Sequence, residues 1–191
     1  MAVQCYSTGQ PQQAVSLLDT AQATLGRTAT PLMTAMLSAR AARAHSKTGR
    51  RRDCARMLHQ ARTMLDKGPR SGDPDVLYWV TQGEIEMIAG SSALELGDPV
   101  HAIRCFDAAI TADYRGDDQY PRTHAIYLAR AAEAHLALHD LDAAASRAAH
   151  ALRCLSGVSS ARSSATLAGL RAKLARHAGS PAVREFLEAG N

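Results

Sequence analysis

Eight histidines and four cysteines are the residues that could hold a metal or attack a substrate, so their spacing is the first test of chemistry. Cys5, Cys54, Cys105 and Cys154 form no CxxC pair, and neither a zinc site nor a redox dithiol is signalled. Each lies in an apolar helical pattern, where a thiol behaves as a small hydrophobe. His135 and His139 stand one helical turn apart, but His139 falls in a turn, and no HExxH occurs. No metal site is assigned. His45 and His135 occupy equivalent places four residues before a turn, either as a proton-switch column or as polar-tipped filler bonded to a backbone carbonyl, and filler is the simpler reading. Glu84 and Glu86 lie on different faces of one helix and do not form an acid–base pair; Glu86 reads as solvated. There is no GxxxxGK[ST], no GxGxxG and no GxSxG, so no phosphate cradle, cofactor or nucleophile elbow is signalled. The chain reads as non-catalytic.

Two further sets could bind. Arg40, Arg43 and Lys47 share one helix face, and Arg50, Arg51 and Arg52 follow. They could meet phosphate or an acidic partner, but no aromatic residue interleaves to stack a base, and a solvated face is expected. Direct nucleic-acid binding is therefore not expected of this chain. The single tryptophan, Trp79, stands beside Tyr78 and continues at helical spacing into Met87 and Ser91. An aromatic pair of this kind can anchor a peptide or a flat small molecule, or simply seal the interface with the loop at 68–74.

The elements that would position these residues emerge from a repeat. "GQPQQAVSLLDTA", "GRRRDCARMLHQA", "GDPVHAIRCFDAA" and "HDLDAAASRAAHA" align on Gly9, Gly49, Gly97 and His139. Five residues on come Ala14, Cys54, Ala102 and Ala144; four further Leu18, Leu58, Phe106 and Ala148; three further Ala21, Ala61, Ala109 and Ala151. Seven residues before each turn stands Ala2, Ala42, Gly90 or Ala132. The glycine would end one helix in a left-handed cap, a proline or aspartate would start the next, and the small columns would let two antiparallel helices approach. Each hairpin leaves an apolar face that its neighbour covers. Helices are expected over about 11–26, 31–48, 50–67, 74–96, 98–114, 121–138 and 140–156, with two capping helices at about 160–178 and 180–189. The hairpins span about 1–26, 31–67, 74–114 and 121–156 of a single domain, 1–191. Only half of a first helix precedes Gly9, which suggests either a missing N-terminal part or a first turn that is exposed and frayed, with apolar surface at Val3, Tyr6, Val15 and Leu18 suited to a homodimer.

Composition agrees. Hydrophobic residues make up 46% and aromatics only 4%, which favours close-packed helices over strands. A net charge of +4 is too mild to name a partner. No run of apolar residues is long enough to span a membrane, and the start "MAVQCYSTGQ" lacks the basic-then-apolar order of a signal peptide. A cytoplasmic location is expected.

These columns resemble tetratricopeptide repeats, with turns 40, 48 and 42 residues apart rather than the usual 34 or so. The resemblance implies an all-α, right-handed α-solenoid of TPR-like hairpins. More narrowly, "DPDVLYWVTQGEIEMIAGSSALELGDPVHAI", "YLARAAEAHLALHDLDAAASRAAHAL" and "SPAVREFLEAG" resemble the C-terminal region of actinobacterial helix-turn-helix transcriptional regulators, although no helix-turn-helix segment is present. That implies an interaction or ligand-sensing domain that takes a peptide, protein segment or small signal in a concave groove. Its candidate residues are Trp79, Tyr78, Met87, Ser91, Tyr127, Arg130, Glu133, Arg43 and Lys47. The alternative is an enzyme or accessory protein with a small-molecule pocket built inside the array.

Overall fold

The structure, a computed structural model, describes residues 1–113, 121–155 and 161–189. The described residues contain ten α-helices and no strand: α1 (Ala2–Ser7), α2 (Pro11–Leu25), α3 (Pro31–Lys47), α4 (Arg51–Leu65), α5 (Gln82–Glu95), α6 (Pro99–Asp113), α7 (Pro121–Ala137), α8 (Leu141–Leu155), α9 (Ala161–Leu174) and α10 (Pro181–Ala189). Five of the seven prolines occupy the first position of a helix, where a missing N–H costs nothing. The joins after the helices expected to end near 114 and 156 fall outside the described residues.

One backbone hydrogen bond sets the repeat. In each of four turns the residue after the turn position donates its N–H to the carbonyl five residues back: Gln10 to Cys5 (2.8 Å), Arg50 to His45 (3.0 Å), Asp98 to Ala93 (2.9 Å) and Asp140 to His135 (3.1 Å). Closing that loop requires a left-handed residue between. Gly49 and Gly97 supply it with φ of +72° and +76°, and His139 adopts +58° at the same place without glycine's freedom. The small and bulky columns then behave as a seam. In the second, third and fourth repeats every one of their positions is buried; in the first, Ala2 and Ala21 are half-buried.

The chain divides into two compact units, Met1–Asp98 and Pro99–Asn191. In the first, α3 packs on α4 within its hairpin and on α2 and α5 beside it, and α1 touches both α2 and α3. Its core includes Tyr6, Val15, Leu18, Met57, Leu58 and Ile85, all buried. The sequence places Tyr6, Val15 and Leu18 on an exposed apolar surface; α3 closes over α1 and α2 instead, leaving only Met1 and Val3 exposed. In the second unit α7 packs on α6, α8 and α9, and α10 on α8. One continuous core joins Leu128, Ala144, Ala148, Leu167, Leu170, Leu174, Val183 and Phe186, so the two last helices bury their apolar stripes as terminal caps must.

One helix starts later than expected. The spacing over 74–96 predicts a continuous helix, but residues Asp75–Leu77 form a short 3₁₀ turn and α5 begins at Gln82. Thr81, extended, accepts a hydrogen bond from the Glu84 N–H at 3.2 Å and caps α5.

Candidate binding surface

The first helices of successive hairpins lie side by side in each unit, and the polar sequence candidates sit on those helices. In the first unit this surface is shared by α3 and α5. Three- and four-residue steps place Arg40, Arg43 and Lys47 on one face of α3, and Glu84, Met87, Ser91 and Glu95 follow one another along α5. Arg40 donates to a Glu84 carboxylate oxygen at 3.3 Å, and its guanidinium stacks over the Trp79 ring, 4.8 Å from the centroid. A cation held against an aromatic face and a carboxylate is fixed in direction. Arg43 donates to Ser46 Oγ (2.9 Å) and to Glu95 (3.3 Å), and Lys47 reaches the same Glu95 oxygen at 2.6 Å. Burial pushes the Glu95 carboxyl upward, but its hydrogen bond from Lys47 and the Arg43 charge outweigh this and hold it below its ordinary range.

The expected solvated basic face on α3 is thus an ion-pair ladder to α5, and Arg40, Arg43 and Lys47 are not idle cations. Glu86, expected in solvent, is also paired: Arg62 of α4 grips both its oxygens, at 2.6 and 2.8 Å, and its side chain is only 12% exposed. Trp79 lies before α5 rather than on it, half-buried under Arg40. Its neighbour Tyr78 is 83% exposed and Val76 is 68% exposed. Met87 and Ser91 are half-buried on α5.

In the second unit the corresponding helices are α7 and α9. Arg130 and Glu133 form a pair within α7 at 2.6 Å, and Lys173 of α9 takes the other Glu133 oxygen at 2.6 Å. Burial drives the Glu133 carboxyl up; the Arg130 charge and the Lys173 hydrogen bond bring it below its usual value. Tyr127 is 4% exposed and belongs to the interior, so its ring is not offered to a ligand.

The histidine column divides. His135 Nδ1 lies 3.2 Å from a carboxylate oxygen of Asp140. His45 is 7% exposed, and its Nδ1 is buried without a hydrogen-bond partner among the described residues. Neither ring makes the carbonyl bond expected of a filler among the described residues. Among the described residues no three His, Cys, Asp or Glu side chains gather as a metal would need. Cys54, Cys105 and Cys154 are buried and form no disulfide among the described residues, and burial pushes the Cys54 thiol up, away from the reactive thiolate.

Glu95, Arg62 and Lys173 complete these surfaces but were not singled out by the sequence. One signal for the helix start was present. Thr81 followed by Glu84 is the opening of a capping box, and it places Trp79 in the lead-in rather than on the helix.

No family profile and no curated protein sequence matches the chain. Among solved structures it is similar to a Podosopora anserina protein of kinesin-light-chain type with nearly identical TPR-like repeats: TM-score 0.62, 16% identity, covering 98% of this chain and 90% of that one. A substituted form of that protein aligns at TM-score 0.65, again with 16% identity, over 98% of this chain and 88% of that one. The fold is TPR-like. At this identity the likeness extends to the arrangement of helices and not to any bound partner. No helix is long and apolar enough to cross a membrane among the described residues.

Proposed function

We infer that the chain is a non-catalytic interaction domain that holds a peptide or protein segment on the face shared by α3 and α5. One observation carries the reading: Arg40 is held between the Trp79 ring and Glu84, and the segment that supplies Trp79 also carries the exposed Val76 and Tyr78. A preset arginine among aromatic and apolar groups is the composition of an interface hot spot. The acids and bases of this face are committed to one another rather than converging on an open point, as catalysis would need. The sequence resemblance adds a finer reading, in which this domain is the sensing part of a bacterial transcriptional regulator, answers a small signal or a protein segment, and works in the cytoplasm with its thiols reduced. Self-association as a homodimer belongs to the same reading, with Met1 and Val3 as the exposed apolar groups at the α1 end.

Trp79 is the only tryptophan, so its fluorescence reports occupancy directly. A peptide library screened on the immobilised full chain is expected to yield binders that shift this emission. Measured as retention on the immobilised chain, because the variant has no tryptophan, binding should weaken at least tenfold for Trp79→Phe with Arg40→Ala, roughly the weight of one hot-spot residue. Binders whose affinity ignores both substitutions would move the site elsewhere.

A further inference from the structure

The basic run carries more than its paired members. Seven of the 22 lysines and arginines fall between Arg50 and Arg70, against two acids, Asp53 and Asp66. That surplus of five exceeds the +4 of the whole chain, so the remainder is acidic in sum. Two of the seven are engaged within the first unit: Arg62 grips Glu86, and Arg51 donates to the Leu96 carbonyl. Arg50, Arg52, Arg56, Lys67 and Arg70 are exposed, and among the described residues Arg52 and Lys67 have no ion-pair partner. Arg56 reaches Asp53 at 2.8 Å, but both side chains stand in water, where such a pair contributes little and yields to a better anion.

These cations form a ridge. Arg52, Arg56, His59 and Thr63 follow at four-, three- and four-residue steps along the outer face of α4, and Lys67 continues the line just past its end. At about 1.5 Å per residue the ridge is roughly 22 Å long, about six base pairs of a duplex at 3.4 Å each. What else the face carries narrows its partner. Ala55 and Thr63 are its only non-titratable members between the cations, so no bulky apolar group is available to enter a membrane interface. It also lacks the aromatic centre that protein interfaces favour and the rings on which single-stranded bases stack. Guanidinium groups match phosphate oxygens in pairs.

We propose that the outer face of α4 docks on the sugar–phosphate backbone of double-stranded DNA without reading its sequence. The sequence alone pointed to the whole run from Arg40 to Arg52; the structure commits Arg40, Arg43 and Lys47 to α5 and leaves α4 as the face with cations to give. Peptide binding on α3 and α5 is a separate matter and can fail without affecting this one.

Anisotropy of a short fluorescein-labelled duplex with the full chain tests it. Binding should be measurable near 50 mM salt, and log K should fall against log salt with a slope of about −3 to −4, some 0.9 per phosphate contact. Arg52→Ala, Arg56→Ala and Lys67→Ala together should reduce that slope by about 2.7 and the affinity at least tenfold, with an unchanged circular-dichroism melt, since all three are exposed. Arg184→Ala, exposed in the second unit, should change nothing, and a second duplex of unrelated sequence should bind equally well. The proposal is overturned if no binding appears near 50 mM salt, if the triple variant binds like the wild type, or if poly-glutamate or anionic lipid vesicles compete better than DNA.

Discussion

His45 and His135 fill the same place in two hairpins and meet opposite surroundings. After the fourth turn the chain places Asp140, whose carboxylate faces the His135 ring; after the second it places Arg50. Burial lowers the pKa of His45 below its ordinary 6.5, Asp53 and Asp19 oppose the shift, and Arg50 and Arg56 add to it. Above pH 6.5 the ring is neutral in both folded and unfolded chains, and no stability is lost. As pH falls below 6.5 the unfolded chain takes up a proton that the folded chain refuses, so stability declines until the folded ring also titrates, and then levels. Urea midpoints measured at pH 7.5 and about 5.5 should therefore drop more for the wild type than for His45→Gln; equal drops would show that the buried ring plays no part. The position of His45 could be read from the repeat. Its lack of a partner could not, because that depends on what α2 and α4 bring against it. The Arg62–Glu86 pair was illegible for the same reason. Its members are 24 residues apart on different helices, and helical period gives each helix a face without saying which side chain lies opposite.

Between helices, one column reverses its charge. Six residues before the turn the second hairpin has Arg43, paired forward to Glu95 on the next first helix; the fourth hairpin has Glu133, paired forward to Lys173. The seam tolerates either sign provided the next helix answers it. Glu133→Lys should destabilise the second unit, since the new cation meets Arg130 and Lys173 together, and adding Lys173→Glu should recover part of the loss. A double-mutant cycle on thermal melts is expected to give a coupling of about 1 kcal/mol; a coupling of zero would mean that α9 is placed by its leucines alone. The small and bulky columns needed no such partner information. Gly49, Gly97 and the alanine columns act through backbone geometry and size, both of which are written locally. The late start of α5 shows the limit of that legibility. "DVLYWV" has helix-like apolar spacing, but Leu77 and Val80 bury on a 3₁₀ turn and bend while Thr81 opens a new helix, so a cap outweighed a period.

Among the described residues the helices pack mainly with near neighbours in sequence, and each unit has a core of its own. In arrays built this way stability resembles a sum over hairpins and the seams between neighbours, and opening is local before it is global. Leu170 is fully buried in the core that ties α7 and α8 to the two capping helices. Leu170→Ala should remove about 2–5 kcal/mol there. In hydrogen exchange read by mass spectrometry the loss of protection should concentrate in α8, α9 and α10, with α3 and α4 retaining theirs. Uniform loss from Ala2 to Ala189 would mean that the chain opens as one cooperative body. The distinction bears on function. The α3–α5 face depends on long-range ion pairs for its shape, whereas the α4 ridge needs only an intact helix. A chain whose capping helices have opened should therefore keep both surfaces if its opening is local, and lose the α3–α5 face first if it is not.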